Sequence, residues 1–412
     1  MPKTAEHHFH LSFFSADLSG PMRILYFVRV LRDLVNKCAL FFFPIFLFTF
    51  GRDTFGSRWG ISAIGIGFLT LAFFHVLERV TIGISAFPIG RYVTRAGHQK
   101  SMVYSHLLRA VVFGLLMLVN RQPWLIIPIA ILEAVQANFF WPSYYTLLSK
   151  YAHTAKLGAD LGIIRFLLQL VAVMSPALAG LMALKLGFAS VFFFSIVLEL
   201  MSLVVTLYLP SDGEKDQVSW REFKRWFAET RFQKLGVAEA GRYVQDVILF
   251  IWPLVIFTYL KTVDKVGYLS TMVLLSSLIL SLVFGSVLDK IKSRRPYQIS
   301  GGVLSLLWLI RTQLSTVWGF LVVDVVDRFL SNFHWLFYDL ILFRRGKGGQ
   351  AYSYFLYREV MLSIYGAPVW LILGLLFVLS SQFVALFVMA AGGVLLTLMM
   401  DDGKENHGKK SD

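Results

Sequence analysis

The stretch Asn138–Tyr145 reads NFFWPSYY, and 194 residues further on Asn332–Asp339 reads NFHWLFYD. Asn138 recurs as Asn332, Phe139 as Phe333, Trp141 as Trp335 and Tyr144 as Tyr338. Upstream of the aromatic phrase, Glu133 meets Asp327 at the same offset. A match that carries an acid along with the rings marks a duplicated segment. Further pieces repeat around it. GRYVTRAGHQK from Gly90 parallels GSVLDKIKSRR from Gly285, and Arg165 parallels Arg358. PIFLFTF from Pro44 parallels PLVIFTY from Pro253 at a longer offset of 209, with Arg32 upstream in rough register with Arg242. The change of offset places extra residues early in the first half; the remainder is nearly collinear.

The repeats lie in an unusually apolar chain. Of 412 residues 57% are hydrophobic and 16% charged, where soluble domains carry about a quarter charged. Apolar runs such as 38–50, 166–183, 188–209 and 369–396 approach the ~20 residues that a helix needs to cross ~30 Å of hydrocarbon. The pattern predicts spans at 24–50, 60–89, 101–119, 123–149, 158–184 and 187–209, then at 236–260, 265–289, 298–315, 317–343, 352–379 and 382–400. The expected fold is an all-α membrane protein of twelve transmembrane helices in two pseudo-symmetric six-helix bundles. Residues 1–210 form the N-terminal half, 211–235 a linker, 236–401 the C-terminal half and 402–412 a tail.

The formal charge is +14, and the basic residues gather in alternate loops, for example Arg91, Arg95 and Lys100, then Lys224 and Arg225, then Lys290, Lys292, Arg294 and Arg295. The positive-inside rule then expects both termini and the linker in the cytoplasm of a multi-pass plasma (inner) membrane protein. Nucleic acid is not needed to explain the charge. The single Cys38 excludes an internal disulfide, and His7, His8 and His10 read as a tail, so no metal or other cofactor is expected. In the linker, SWREFKRWFAETRF places Trp220, Phe223 and Phe227 on one helical face beside Arg221, Lys224 and Arg225. That reads as a short helix with its aromatic face in the inner headgroup layer, near anionic lipid, tying the halves together.

The residues after the second and eighth spans carry a resemblance. GSVLDKIKSRR supplies Gly285, Asp289, Lys290, Arg294 and Arg295, with Lys292 in place of a second glycine. GRYVTRAGHQK supplies Gly90, Arg95, Gly97 and Lys100, with Thr94 in place of the acid. This loop pattern and the duplicated spans resemble the major facilitator superfamily. SPALAG in the fifth span is similar to the Gly-Pro motif of the superfamily's drug antiporters through Pro176 and Gly180, whereas Glu133 stands where those antiporters carry an arginine. The resemblance implies that spans 1, 4, 7 and 10 line a central cavity and that spans 2, 5, 8 and 11 meet between the halves. It makes Gly90, Arg95, Gly97, Gly285, Asp289 and Lys290 a cytoplasmic gate.

Charges inside the spans are the candidate functional residues, because each costs at least about 2.5–3.5 kcal/mol near the bilayer centre unless it faces a cavity or a partner. Glu133, Asp327 and Glu78 fall near mid-depth and are the proton-coupling candidates. Asp324 and Arg328, four apart on one face, are expected to pair and leave Asp327 on another. Arg32, Asp33, Asn138, Trp141, Tyr144, Arg242, Asp246, Asn332, His334, Trp335 and Tyr338 are expected around the substrate. Arg165 and Arg358 are expected as charges between the halves, with Glu359 pointing away from Arg358. No Gly-Lys-Ser/Thr loop supports ATP hydrolysis, and no enzyme signature stands out. The expected function is a secondary transporter, working as a monomer and exporting an amphipathic or hydrophobic small molecule against protons. A lipid or lysolipid flippase and a non-transporting scaffold are the alternatives.

Overall fold

The structure, a computed structural model, describes residues 20–151, 157–211, 217–288, 295–314, 316–346, 350–380 and 383–400. The first span is built of two helices, α1 (Gly20–Val35) and α2 (Phe43–Phe55), joined through a π turn at Asn36–Leu40. Pro44 sits in the first turn of α2. It has no N–H to give and its ring disfavours a helical carbonyl four residues back, so the helix restarts here. The fall of the offset from 209 to 195 lies after this break, between Pro44 of α2 and Gly90.

The rest of the N-terminal half is α3 (Ala63–Ala96), α4 (His98–Leu116), α5 (Ile126–Tyr151), α6 (Leu157–Leu186) and α7 (Phe188–Thr206). A linker helix α8 (Trp220–Ala228) leads to α9 (Thr230–Leu260), α10 (Val263–Leu288), α11 (Arg295–Ile310), α12 (Val317–Arg345), α13 (Ala351–Ser380) and α14 (Val384–Thr397). Among the described residues, seven helical segments are long and apolar enough to cross a bilayer by length and composition alone. α11 and α14 are shorter, and α12 carries Asp324, Asp327 and Arg328 within its length. We call the face on which α1 begins and α14 ends the near face, and the other the far face.

The halves meet along α3 against α13 and α6 against α10. Small residues set these approaches. A Cβ on Gly267 of α10 would lie 2.5 Å from the Pro176 carbonyl oxygen of α6, and one on Gly180 would lie 3.3 Å from that of Val263. On the near side a Cβ on Gly90 of α3 would lie 2.5 Å from Leu356 of α13. Between the halves, aromatic contacts pack toward both faces. Toward the far face Phe68 of α3 stacks on Phe377 of α13 at 3.6 Å. Toward the near face Tyr145 of α5 meets Phe343 and Phe355 at 5.6 and 5.4 Å, and His98 meets Tyr352 at 5.1 Å.

Of the expected gate, Gly90 makes the close approach just described, and Gly97 ends α3 at φ +91°, a conformation that suits glycine. Arg95 is exposed. Gly285 belongs to α10, while Asp289 and Lys290 lie outside the described residues. The linker helix corrects an expectation. Ser219 caps it by accepting from the Glu222 N–H at 3.1 Å, but its aromatic face turns into the protein. Phe223 is buried, Phe87 of α3 packs on Trp220 at 5.3 Å, and Tyr357 of α13 donates to Glu222 at 3.0 Å. Phe223 buries against two spans, one from each half, while Trp220 stays half exposed and Arg221, Lys224 and Arg225 are exposed.

Within the C-terminal half, α9 and α14 touch backbone to backbone. A Cβ on Gly393 would lie 2.8 Å from the Gly241 carbonyl oxygen, and one on Gly241 would strike that of Gly393. Gly241→Val is therefore expected to lower the thermal midpoint of the purified protein, in line with an overpacking cost of about 1–3 kcal/mol; an unchanged midpoint would contradict the close contact.

Candidate functional site

Each half holds a charged network of its own, and between the halves lies a third group of charges. In the N-terminal half the centre is Glu199 of α7, fully buried. It accepts from Arg109 of α4 at 3.0 Å and from Arg32 of α1 at 3.5 Å, and lies 2.7 Å from His106 Nδ1. Arg32 also donates to Gln136 and lies 4.2 Å above the Phe140 ring. Arg109 reaches back to Asn36 in the π turn at 2.6 Å and to Glu133 at 3.6 Å. Glu133 is the loosest member, because its Oε2 is buried with no hydrogen-bond partner.

The C-terminal half answers with Arg311, just beyond α11. One of its nitrogens donates to Asp324 at 2.8 Å and to Asp327 at 2.6 Å, and its guanidinium lies 4.0 Å from the Trp308 ring centre. The indole of Trp252 donates to Asp324 at 2.7 Å and Ser331 to Asp327 at 2.7 Å. Arg311 thus replaces the expected Asp324–Arg328 pairing and brings Asp327 onto the same partner. In both halves the matched acid, Glu133 or Asp327, meets an arginine from the preceding span.

Several expected cavity residues belong instead to packing within one half. Arg32 is committed to Glu199 as described. Asn138 of α5 donates to the Ile82 carbonyl at 2.8 Å and to Ser85 at 2.9 Å, so it clamps α5 to α3. His334 lies between Ser300 and Thr397, each at 3.0 Å, and stacks on Tyr297 at 4.4 Å. Its counterpart by offset is Phe140, yet the N-terminal half places His106 of α4 in the same setting, 3.2 Å from Thr206 and 5.7 Å from Phe140. Gly301 stands at the position of His106 in the repeat, and a Cβ there would lie 3.2 Å from the His334 ring. One slot is filled by a histidine from different helices in the two halves. Asn332 is half-buried on α12.

The residues that do gather between the halves form a repeated unit. Arg29 lies 4.7 Å from the Trp141 ring centre and 5.7 Å from that of Tyr144. Arg242 lies 5.3 Å from Trp335 and 5.0 Å from Tyr338. One turn beyond each arginine stands an acid, Asp33 or Asp246. The two pairs are 213 residues apart, in RVLRD and RYVQD. Arg29 therefore holds the place expected for Arg32, and this five-residue repeat was the sequence signal for it. Asp246 lies mid-way along α9 between buried neighbours, yet its side chain is 58% exposed, which places it on an internal cavity. Arg242 is held by Asp339 of α12 at 2.6 Å. The matched position in the first half is Tyr145.

At the junction of the halves, Arg358 of α13 pairs with Glu239 of α9 at 2.7 Å and with Glu359 at 3.1 Å, so Glu359 does not point away. Tyr338 donates to Glu239 at 2.8 Å. The side chain of Arg165 lies outside the described residues. Glu78 of α3 lies 2.6 Å from His75 and 3.3 Å from Arg79, and His75 stacks on Trp370 of α13 at 4.3 Å. Arg109, Glu199, Glu239 and Arg311 were missed, although each is a charge next to or within an apolar run, which is the signal that singled out the others.

Two bundles that meet on duplicated charged and aromatic units have the layout of a membrane transporter. The chain belongs to the Major Facilitator Superfamily, whose family model matches residues 25–239. No curated protein matches the sequence. Among solved structures the fold is similar to the human organic anion transporter MFSD10 (TETRAN), at TM-score 0.70 and 12% identity over 93% of this chain and 100% of that one. It is similar to the E. coli fucose:proton symporter FucP at TM-score 0.65 and 12% identity, covering 94% and 98%. FucP in the outward conformation gives TM-score 0.67 at 10% identity, again over 94% and 98%.

The networks predict different responses to substitution. Glu199→Ala leaves Arg32 and Arg109 buried without their shared carboxylate, and a cost of about 3–5 kcal/mol is expected. Arg29→Gln removes a cation that makes no ion pair within 4 Å among the described residues. Melting curves of the two purified variants should separate them, Glu199→Ala far below wild type and Arg29→Gln close to it; equal midpoints would remove the distinction drawn between network and cavity.

Proposed function

We propose that the chain is a proton-coupled secondary transporter that exports an amphipathic small molecule by alternating access. The observation that carries this reading is the pair of Arg–Trp–Tyr–Asp units between the halves, with packed aromatic contacts toward both faces. Rocking of the halves about those units would open them to one side and then the other. Rings and the apolar stems of arginines supply surface for an apolar body, and the charges orient its polar end. The basic loops support a near face on the cytoplasmic side of the plasma (inner) membrane. A fold neighbour that is a fucose:proton symporter supports coupling to protons.

Of the three acids expected to couple, Glu133 fits best. Both carboxylate oxygens of Asp327 are engaged by Arg311 and Ser331, and Glu78 is held by His75 and Arg79. Glu133 has an open oxygen and a single long contact to Arg109. In the proposed cycle it takes a proton from the far side, which frees Arg109 toward Glu199, and gives it up on the near side as substrate enters.

The test is flux in proteoliposomes made acid inside, with lipophilic cations, lysolipids and sugars as the panel. Exchange against protons accumulates a substrate in the acid compartment, whereas symport does not. Glu133→Gln is expected to abolish pH-driven accumulation while retaining substrate exchange at equal pH. Accumulation undiminished in that variant would overturn the coupling assignment, and its absence from wild type with every compound would overturn antiport of these classes.

A further inference from the structure

The two units between the halves match in their arginine, aromatic residues and acid, but one position breaks the symmetry. In the C-terminal unit Arg242 is neutralised by Asp339 at 2.6 Å, so Asp246, 3.8 Å from Arg242, is left facing the cavity and 58% exposed. In the N-terminal unit Tyr145 stands where Asp339 would be. Arg29 keeps Nη1 buried and without a hydrogen-bond partner, with Asp33 and Asp339 as its nearest acidic influences. The open cation thus belongs to one half and the most open anion to the other.

This arrangement constrains the charge of a ligand. A purely cationic compound would meet Arg29 and Arg242, and those same guanidiniums already cover the faces of Trp141 and Trp335 that would otherwise receive it. A purely anionic compound would gain at Arg29 but meet Asp33, Asp246 and Asp339. A compound with both charges satisfies both open groups and leaves the field of the cavity unchanged. We propose that the substrate is dipolar, with an anionic group on Arg29, a cationic group on Asp246 and an apolar body against Trp141 and Trp335. This inference rests on the transport reading above and names the substrate class for that site.

The experiment uses three probes with one apolar body: naphthylalanine, naphthylpropionate and naphthylethylamine, titrated calorimetrically into the full chain in lipid nanodiscs at neutral pH. Naphthylalanine is expected to bind about tenfold or more tightly than either singly charged compound, the worth of one charge-assisted hydrogen bond. Arg29→Gln should reduce its affinity to that of the amine, Asp246→Asn to that of the acid, and Arg29→Lys should keep most of the preference. The amine or the acid binding wild type as well as the zwitterion, no binding of any of the three, or a preference unmoved by either substitution would overturn the inference. The wild-type comparison stands even where a variant does not fold. Because binding is read without a pH gradient, this outcome is separate from the flux test: pH-driven transport of a singly charged compound would keep the transport reading and sink the dipolar one.

Discussion

A carboxylate placed among helices in a membrane must be answered by cations or hydrogen-bond donors, and Glu199 is answered three times over. Arg32, Arg109 and His106 converge on it from α1 and α4. Low dielectric makes the group costly if any partner is lost, so these helices are fixed relative to α7. The consequence reaches outward. With Arg32 turned into the bundle, the adjoining side of α1 carries Arg29 and Asp33. Asn36, bound by Arg109, anchors the π turn that joins the two helices of the first span. The C-terminal half reaches a comparable state more simply, with Arg311 shared by two aspartates of α12 and lying near two indoles set edge to face.

The separation of roles between network and cavity follows from geometry. Charges inside a half close on one another at short range, whereas those between halves are only partly met. A part that must come apart and rejoin during a rocking motion cannot be held by the strongest available pairs in both positions. The partly satisfied groups, Arg29 and Asp246, occupy the place where the halves must separate, whereas Arg242 with Asp339 and Arg358 with Glu239 are close pairs inside the C-terminal half.

Much of the fold was legible in the sequence because hydrophobic runs and duplication report architecture directly. The aromatic repeat placed α5 and α12 in equivalent positions, and Gly90 and Gly97 carried their backbone meaning. The linker's amphipathic face was read correctly as a face but assigned to lipid, since periodicity cannot tell which apolar surface receives it; Phe87 and Tyr357 do. In the site, the presence of charges inside the spans was legible and partner choice was not. Asp324 and Arg328 share a helical face, yet Arg311 from the preceding segment wins the carboxylate. Arg32 was chosen over Arg29 because the offset from Pro44 to Pro253 was carried upstream through a helix break that changes it.

The histidine slot shows what duplication preserves. His106 and His334 fill the same setting against Thr206 and Thr397, but one ring comes from α4 and the other from α12, with Phe140 and Gly301 as the complementary fillers. A residue-by-residue alignment of the halves records a histidine lost at two positions. In space nothing is lost, because volume and hydrogen bonding are conserved while the backbone that supplies them changes. The unit under constraint in this packing is therefore the occupied site rather than the aligned column, and the two halves have stayed alike in shape while drifting apart in spelling.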